Sequence, residues 1–293
     1  GTETRAGAAD AAKPGEAGRC RTAETFPSGF CLNTGFAMIV FRFDNTFEGL
    51  LTLVFESYRL KQFPDAIVGG TGSQSLLFAD TFEVVTDDAK AERVWNKIVE
   101  KSSLAGAHRL YRVFLSELPE APLLIFRYIR LVVGSKVNIE TDFSQPVVLE
   151  VVQIHRKVVR EAQRIQMFTR FQQTAEGSYY ASFVPQYNVL PLCIPHFCDR
   201  FADQEWIIYD LRRNFGFHYD RKEVVQITFE NLRVNPQTGQ LHQSLLDPGE
   251  LQFQRLWKKY YDAVFIPQRK NIKVHRQFLP KRFWSYLPEK RSF

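Results

Sequence analysis

"EWIIYDLRRNFGFHYDRKEVVQITF", residues 205–229, places β-branched and aromatic residues on both sides of an Asn214-Phe215-Gly216 break. Apolar runs of strand length interrupted by Asn and Gly predict at least two strands joined by a turn near 214–216. Just upstream, "SYYASFVPQ" at 178–186 predicts a further strand, and "VLPLCIPHFCDRF" at 189–201 a short helix or apolar connection. Downstream, "DPGELQFQRLWKKYYDAVF" at 247–265 returns to helical spacing, with Asp247 and Pro248 placed as a helix start.

Before Gly177 the period is different. After a strand-like "MIVFRFD" at 38–44, helical spacing runs through "NTFEGLLTLVFESYRL" at 45–60, "TDDAKAERVWNKIVEKS" at 86–102, "GAHRLYRVFLSEL" at 106–118 and "APLLIFRYIRLVVGS" at 121–135. Thr86 or Asp87 is the expected N-cap of the second. The longest such segment, "QPVVLEVVQIHRKVVREAQRIQMFTRFQQT" at 145–174, carries Val151, Ile154, Val158, Ala162, Ile165 and Phe168 on one face. Arg156, Lys157, Arg160 and Arg164 fall on another. Helices first, strands later and a closing helix predict an α+β fold. The expected architecture is a single domain over 38–293, helix-rich over 38–175 after its opening strand. A small antiparallel sheet, a closing helix and an extended basic tail follow over 176–293.

Residues 1–37, rich in Ala, Gly and Thr and without periodicity, cannot bury a core and are expected to be a disordered extension. Met38 is the expected natural start, and a peptide from residues 5–19 in the native protein would contradict that. "GGTGSQS" at 69–75 is expected to be a flexible loop. It does not fit a phosphate-binding loop, since no Lys-Ser or Lys-Thr follows and no strand running directly into the glycines with a helix behind is expected.

The chain carries a net charge of +6, unevenly spread. From Arg255 onward eleven Lys or Arg stand against Asp262 and Glu289, a local +9 that leaves −3 for the remainder. A segment of that kind attracts polyanions. No apolar run approaches the ~18 residues of a membrane span, so no membrane partner is expected. Four cysteines, at 20, 31, 193 and 198, are too few and too irregular for a disulfide framework, and a cytoplasmic location is expected.

"HFCDRFADQEWIIYDLRR" at 196–213 is the densest polar stretch with an ordered pattern. His196 with Asp203 or Asp210 offers general acid–base chemistry, and Arg200 and Arg213 offer phosphate binding. A hydrogen-bonded network that only fixes a turn is the alternative. Cys193, His196 and Cys198 fit no common zinc spacing and lack a fourth ligand, so no metal is expected. The tail interleaves Arg269, Lys270, Lys273, Arg276, Lys281 and Arg282 with Phe278, Phe283, Trp284 and Tyr286. Cations for phosphates and rings for bases are the ingredients of single-strand binding. Pro267, Pro280 and Pro288 stiffen this tail, which is expected to lie along the body with Phe278 and Trp284 at least partly packed.

Several separated motifs carry a resemblance. "FDNTFEGLLTLVFESYRLKQFPD", "LYRVFLSELP", "VREAQRIQMFTRFQ", "YNVLPLCIPHFCDRFADQEWIIYDLRRNFGFHYD" and "LWKKYYDAVFIPQRKNIKVHRQFLPKRFWSYLPE" together resemble a bacterial family labelled probable DNA metabolism protein, across 38–290. The resemblance implies a DNA-linked role beside a radical-SAM DNA modification or repair protein; some members are fused to a uracil-DNA-glycosylase-like domain. The folded part has only Cys193 and Cys198, so an iron–sulfur cluster and S-adenosylmethionine are expected on that partner and not on this chain. A protein-interaction subunit that never touches DNA, and a stand-alone enzyme using His196, are the other readings the sequence leaves open.

Overall fold

A first strand, β1 (Met38–Phe43), is followed by helix α1 (Phe47–Leu60), and the return of the chain as β2 (Ala66–Gly69) makes the pair parallel. The computed structural model describes residues 38–70 and 79–291. The expected extension at 1–37 and residues 71–75 of the glycine-rich segment lie outside them. Strand β3 (Ala79–Glu83) lines the other edge of β1, so the order is β2-β1-β3, all parallel, with Phe41 opposite Ile67 and Phe82. The sequence reading missed β2 and β3. Strand β2 does run into the glycines, but the next described element is β3 and not a helix, and the Lys-Ser or Lys-Thr of a phosphate-binding loop is missing.

The helices form where the spacing predicts them. Thr46 caps α1 by accepting the Gly49 N–H, and Lys61 closes it in the left-handed region at φ 55°. Asp87 caps α2 (Asp88–Lys101), accepting from Lys90, and Ser103 caps α3 (Leu104–Phe114). Pro at the first turn opens both α4 (Ala121–Gly134) and α5 (Pro146–Phe168), where its missing N–H costs nothing. Leu50, Leu53, Ile98, Leu110, Ile125 and Val158 from these helices are completely buried in a common core. Each contributes roughly 1.5–3 kcal/mol by leaving water. On α5 the predicted apolar face is the buried one, from Val151 to Ile165, with Phe168 packed at its end.

The second sheet has the order β4-β5-β6-β7-β8, from β4 (Gln172–Gln173), β5 (Tyr179–Phe183), β6 (Trp206–Asp210), β7 (Phe215–Tyr219) and β8 (Val224–Ile227). Its pairs are antiparallel except β5 with β6, which run parallel with Tyr179 opposite Trp206. The expected all-antiparallel sheet is thus a mixed one. Helix α6 (Leu190–Arg200) lies between β5 and β6, and a crossover of that length returns the chain in the same direction. The turn after β6 falls on Leu211–Asn214, with Asn214 left-handed at φ 56°, and Gly216 already belongs to β7. A Cβ at Gly216 would sit 2.5 Å from the Ile208 carbonyl oxygen, so glycine is required there by close strand approach.

The closing helix α7 (Glu250–Val264) begins three residues later than Asp247. The tail then forms a 3-10 turn at Pro267–Arg269, helix α8 (Ile272–Phe278), and further 3-10 turns at Lys281–Tyr286 and Pro288–Lys290. It is ordered, as expected, and folded back on the body. Phe283 is buried against Phe168, Tyr286 packs on Phe183, and Trp284 is half-buried. Phe278 departs from expectation: it is 68% exposed.

Candidate nucleic-acid interface

Three contacts pin the tail, and they decide which of its charges remain available. Arg282 grips Glu161 of α5 with both terminal guanidinium nitrogens, Nη1 donating to Oε1 at 2.7 Å and Nη2 to Oε2, and Oε1 also accepts the Gln186 N–H at 3.0 Å. Glu161 interrupts the cationic face of α5 in sequence. In space it is the buried counter-ion of Arg282, a residue the sequence had offered to phosphates. Glu289 accepts from Arg170 at 3.0 Å and from the Trp257 indole at 2.9 Å, joining α7, the tail and the end of α5. Arg291 donates to the carbonyls of Ser285 and Thr238, and burial pushes its pKa down to about 10 against the pull of Glu289.

What the tail leaves open is a cleft of about 750 Å³ between the end of α7, α8 and the last turns. Arg269, Lys270 and Arg276 line it, together with His275, Trp284 and Lys290. Four sequence-predicted residues, Arg269, Lys270, Arg276 and Trp284, are therefore brought together. The two carboxylates at the cleft are already occupied. Asp262 accepts from Lys258 at 3.2 Å, and Glu289 is held as described. Among the described residues Arg269, Lys270 and Arg276 have no carboxylate partner, and all three are exposed.

The wall of the cleft is aromatic. His275 stacks on Trp284 with centroids 5.5 Å apart and planes at 22°, and the Trp284 indole N–H donates to the Leu279 carbonyl at 3.0 Å. Burial first, and then the Lys290 charge, hold His275 below the ordinary imidazole range, so at neutral pH it is a neutral ring. Lys290 donates to the Tyr261 hydroxyl at 2.5 Å and lies over the Tyr261 and Trp284 rings, 4.5 and 5.8 Å from their centroids. The sequence reading missed His275, Lys290 and Tyr261, because only the folding back of 281–290 onto α7 puts them beside Trp284.

Other predicted residues lie elsewhere. Arg156, Lys157 and Arg160 form an exposed cationic stripe on α5, with no carboxylate partner among the described residues. Burial and the neighbouring Arg282 push the pKa of Arg164 down. Lys281 and Lys273 are exposed outside the cleft lining. Arg200 is exposed, with its guanidinium 5.7 Å from the Phe201 ring centroid.

The polar stretch around His196 does not assemble into a constellation. His196 and Asp203 are exposed, and among the described residues His196 has a ring contact with Phe197 and no carboxylate partner. Asp210 is fully buried and saturated, accepting the backbone N–H groups of Arg212 and Arg213 and the Arg213 guanidinium at 2.8 Å. Arg213 extends the lock to Glu117 at 2.6 Å. The network reading accounts for this pair: it holds the β6–β7 turn against the connection between α3 and α4. A histidine that does meet a carboxylate is His218, 2.9 Å from Glu205. On α6, Cys193 is buried, donates to the Ala162 carbonyl at 3.6 Å, and has its thiol pKa pushed up to about 12 by burial.

His155, on α5 beside the cationic stripe, gives a test of the local electrostatics. Burial, then Arg112, Arg109 and Arg156, push its pKa down to about 4, and its Nδ1 is buried without a partner. Between pH 6.5 and 4 the unfolded chain therefore takes up a proton that the folded chain refuses. Stability falls across that window as pH drops. After allowance for the half-exposed ring the loss is about 1–2 kcal/mol. Melting temperature measured against pH should fall more steeply in wild type than in His155→Gln; parallel curves would contradict this.

A second groove of about 650 Å³ lies between α1, α2 and α3, floored by Phe47, Trp95 and Tyr111. Of its acids Glu48, Asp88 and Glu92, the first two sit in the first turns of their own helices, where they complement the helix dipole. None of the predicted residues reaches it.

Residues 119–289 match the sequence profile of a domain of unknown function, DUF4130. That span runs from the start of α4 into the last 3-10 turn and contains the cleft lining except Lys290. No curated protein and no solved structure matches the chain. Among the described residues no helix is long and apolar enough to cross a membrane.

Proposed function

The chain belongs to the DUF4130 family, and on that footing we propose that it is a DNA-binding accessory protein of the cytoplasm, acting beside a radical-SAM enzyme of DNA modification or repair. One observation carries the DNA contact: Arg269, Lys270 and Arg276 stand unpaired around the Trp284–His275 wall while the nearby carboxylates are tied off. Guanidinium and ammonium groups so placed hold phosphates, and an aromatic wall suits unpaired bases better than a closed duplex. The exposed stripe of Arg156, Lys157 and Arg160 adds positive potential on the same chain. The DNA-linked role and the radical-SAM partner rest on the family resemblance of the motifs from Met38 to Glu289. The iron–sulfur cluster and S-adenosylmethionine belong to that partner in this reading.

The test is fluorescence anisotropy with a labelled single strand of ~12 nucleotides and its duplex, at about 50 mM salt. The proposal expects the single strand to bind with micromolar or better affinity, and more tightly than the duplex. Absence of binding at ~100 μM protein would overturn it.

A further inference from the structure

Helix α7 is turned inside out. Its buried residues are Glu250 and Gln254, whereas Phe253, Leu256, Tyr260 and Val264 are 65, 51, 58 and 54% exposed. With Trp257, these fall within an arc of about 100° on the helix, the width of an ordinary core-facing stripe. The helix docks along the adjoining face: Glu250 accepts the Gln173 N–H at 3.1 Å and the Gln254 amide at 2.8 Å, Leu251 packs on the core around Tyr180 and Tyr209, and Trp257, at the edge of the stripe, donates its indole N–H to Glu289. Past the helix, Phe265 and Ile272 belong to the cleft lining and not to this surface. Contiguous apolar area of this kind marks an interaction site.

What covers it follows from shape and charge. The stripe is straight, three helical turns long and about 16 Å from Phe253 to Val264, which suits a helix laid alongside. Leu256 and Val264 offer no ring for a base, so a nucleic acid is a poor fit. Arg255 and Lys259 are exposed on the helix face that flanks the stripe away from the body. A second copy related by a two-fold axis would bring like charges together. We propose that the α7 stripe docks an amphipathic helix of a partner protein, apolar on one face and acidic on its flanks. The proposal is independent of the nucleic-acid reading of the cleft.

The probe is a synthetic helix of ~18 residues with Leu at heptad a and d positions and Glu elsewhere, compared with the same peptide carrying Lys for Glu. By anisotropy on the full chain, the Glu peptide should bind at least about tenfold more tightly than the Lys peptide. The double variant Phe253→Asp, Tyr260→Asp should weaken it a further ~10-fold while leaving oligonucleotide binding and circular dichroism unchanged. The comparison of the two peptides on wild type needs no variant to fold. Equal binding of both, or none of the Glu peptide, overturns the proposal. Wild-type dimers in sedimentation that the double variant dissolves assign the stripe to a second copy instead. Loss of oligonucleotide binding in that variant assigns it to nucleic acid.

Discussion

Arg282→Ala is expected to lower the free energy of unfolding by about 3–5 kcal/mol, because it strands the Glu161 carboxylate, 2% exposed, without its counter-ion. Glu161→Gln should cost less, about 1–2 kcal/mol. The amide still accepts the Gln186 N–H, and the abandoned Arg282, its side chain 38% exposed, can rehydrate. The double variant should recover much of the Arg282→Ala loss, since the stranded charge is gone. Urea unfolding of the three proteins measures this directly. If Arg282→Ala stays within about 0.5 kcal/mol of wild type, the pair does not anchor the tail. This order of effects also separates anchoring from nucleic-acid contact. A DNA-binding defect of Arg282→Ala would come with a stability defect.

Removing the cleft charges should do the opposite. The triple variant Arg269→Ala, Lys270→Ala, Arg276→Ala touches exposed residues without carboxylate partners among the described residues, so stability should change by no more than about 0.5 kcal/mol. Affinity for a single strand should fall about 100-fold at about 50 mM salt, as three phosphate contacts are lost together. An unchanged affinity with an intact fold would remove the cleft from the interface.

Much of this was legible in the sequence because it rests on period and local chemistry. The face of α5 from Val151 to Ile165 is buried as its spacing dictates, and the strands around residues 206–219 follow from β-branched and aromatic runs broken at Asn214. The profile match shows that the chain belongs to an uncharacterised family over residues 119–289. Strands of four and five residues such as β2 and β3 are too short for a period to register, and their pairing with β1 is a tertiary fact. The parallel pairing of β5 with β6 depends on the route α6 takes between them.

In the candidate site, the residue types were legible and their commitments were not. Arg282 and Glu161 are 121 positions apart, so nothing local distinguishes Arg282 from Arg276, although one is an anchor and the other is free. Asp210 reads equally well as a general base or as the acceptor that ties a turn, until burial and three donors select the second. The α7 stripe was visible as helical spacing from Phe253 to Val264, but spacing alone says core. Only the structure shows that face turned to solvent.

The central claim is that the cleft binds phosphates through Arg269, Lys270 and Arg276, and the salt dependence of single-strand binding tests it most directly. For the ~12-nucleotide strand, the slope of log Kobs against log salt should be about −2 or steeper in wild type, and should flatten by about 2 in the triple variant. A wild-type affinity indifferent to salt, or identical slopes in the two proteins, would contradict the account.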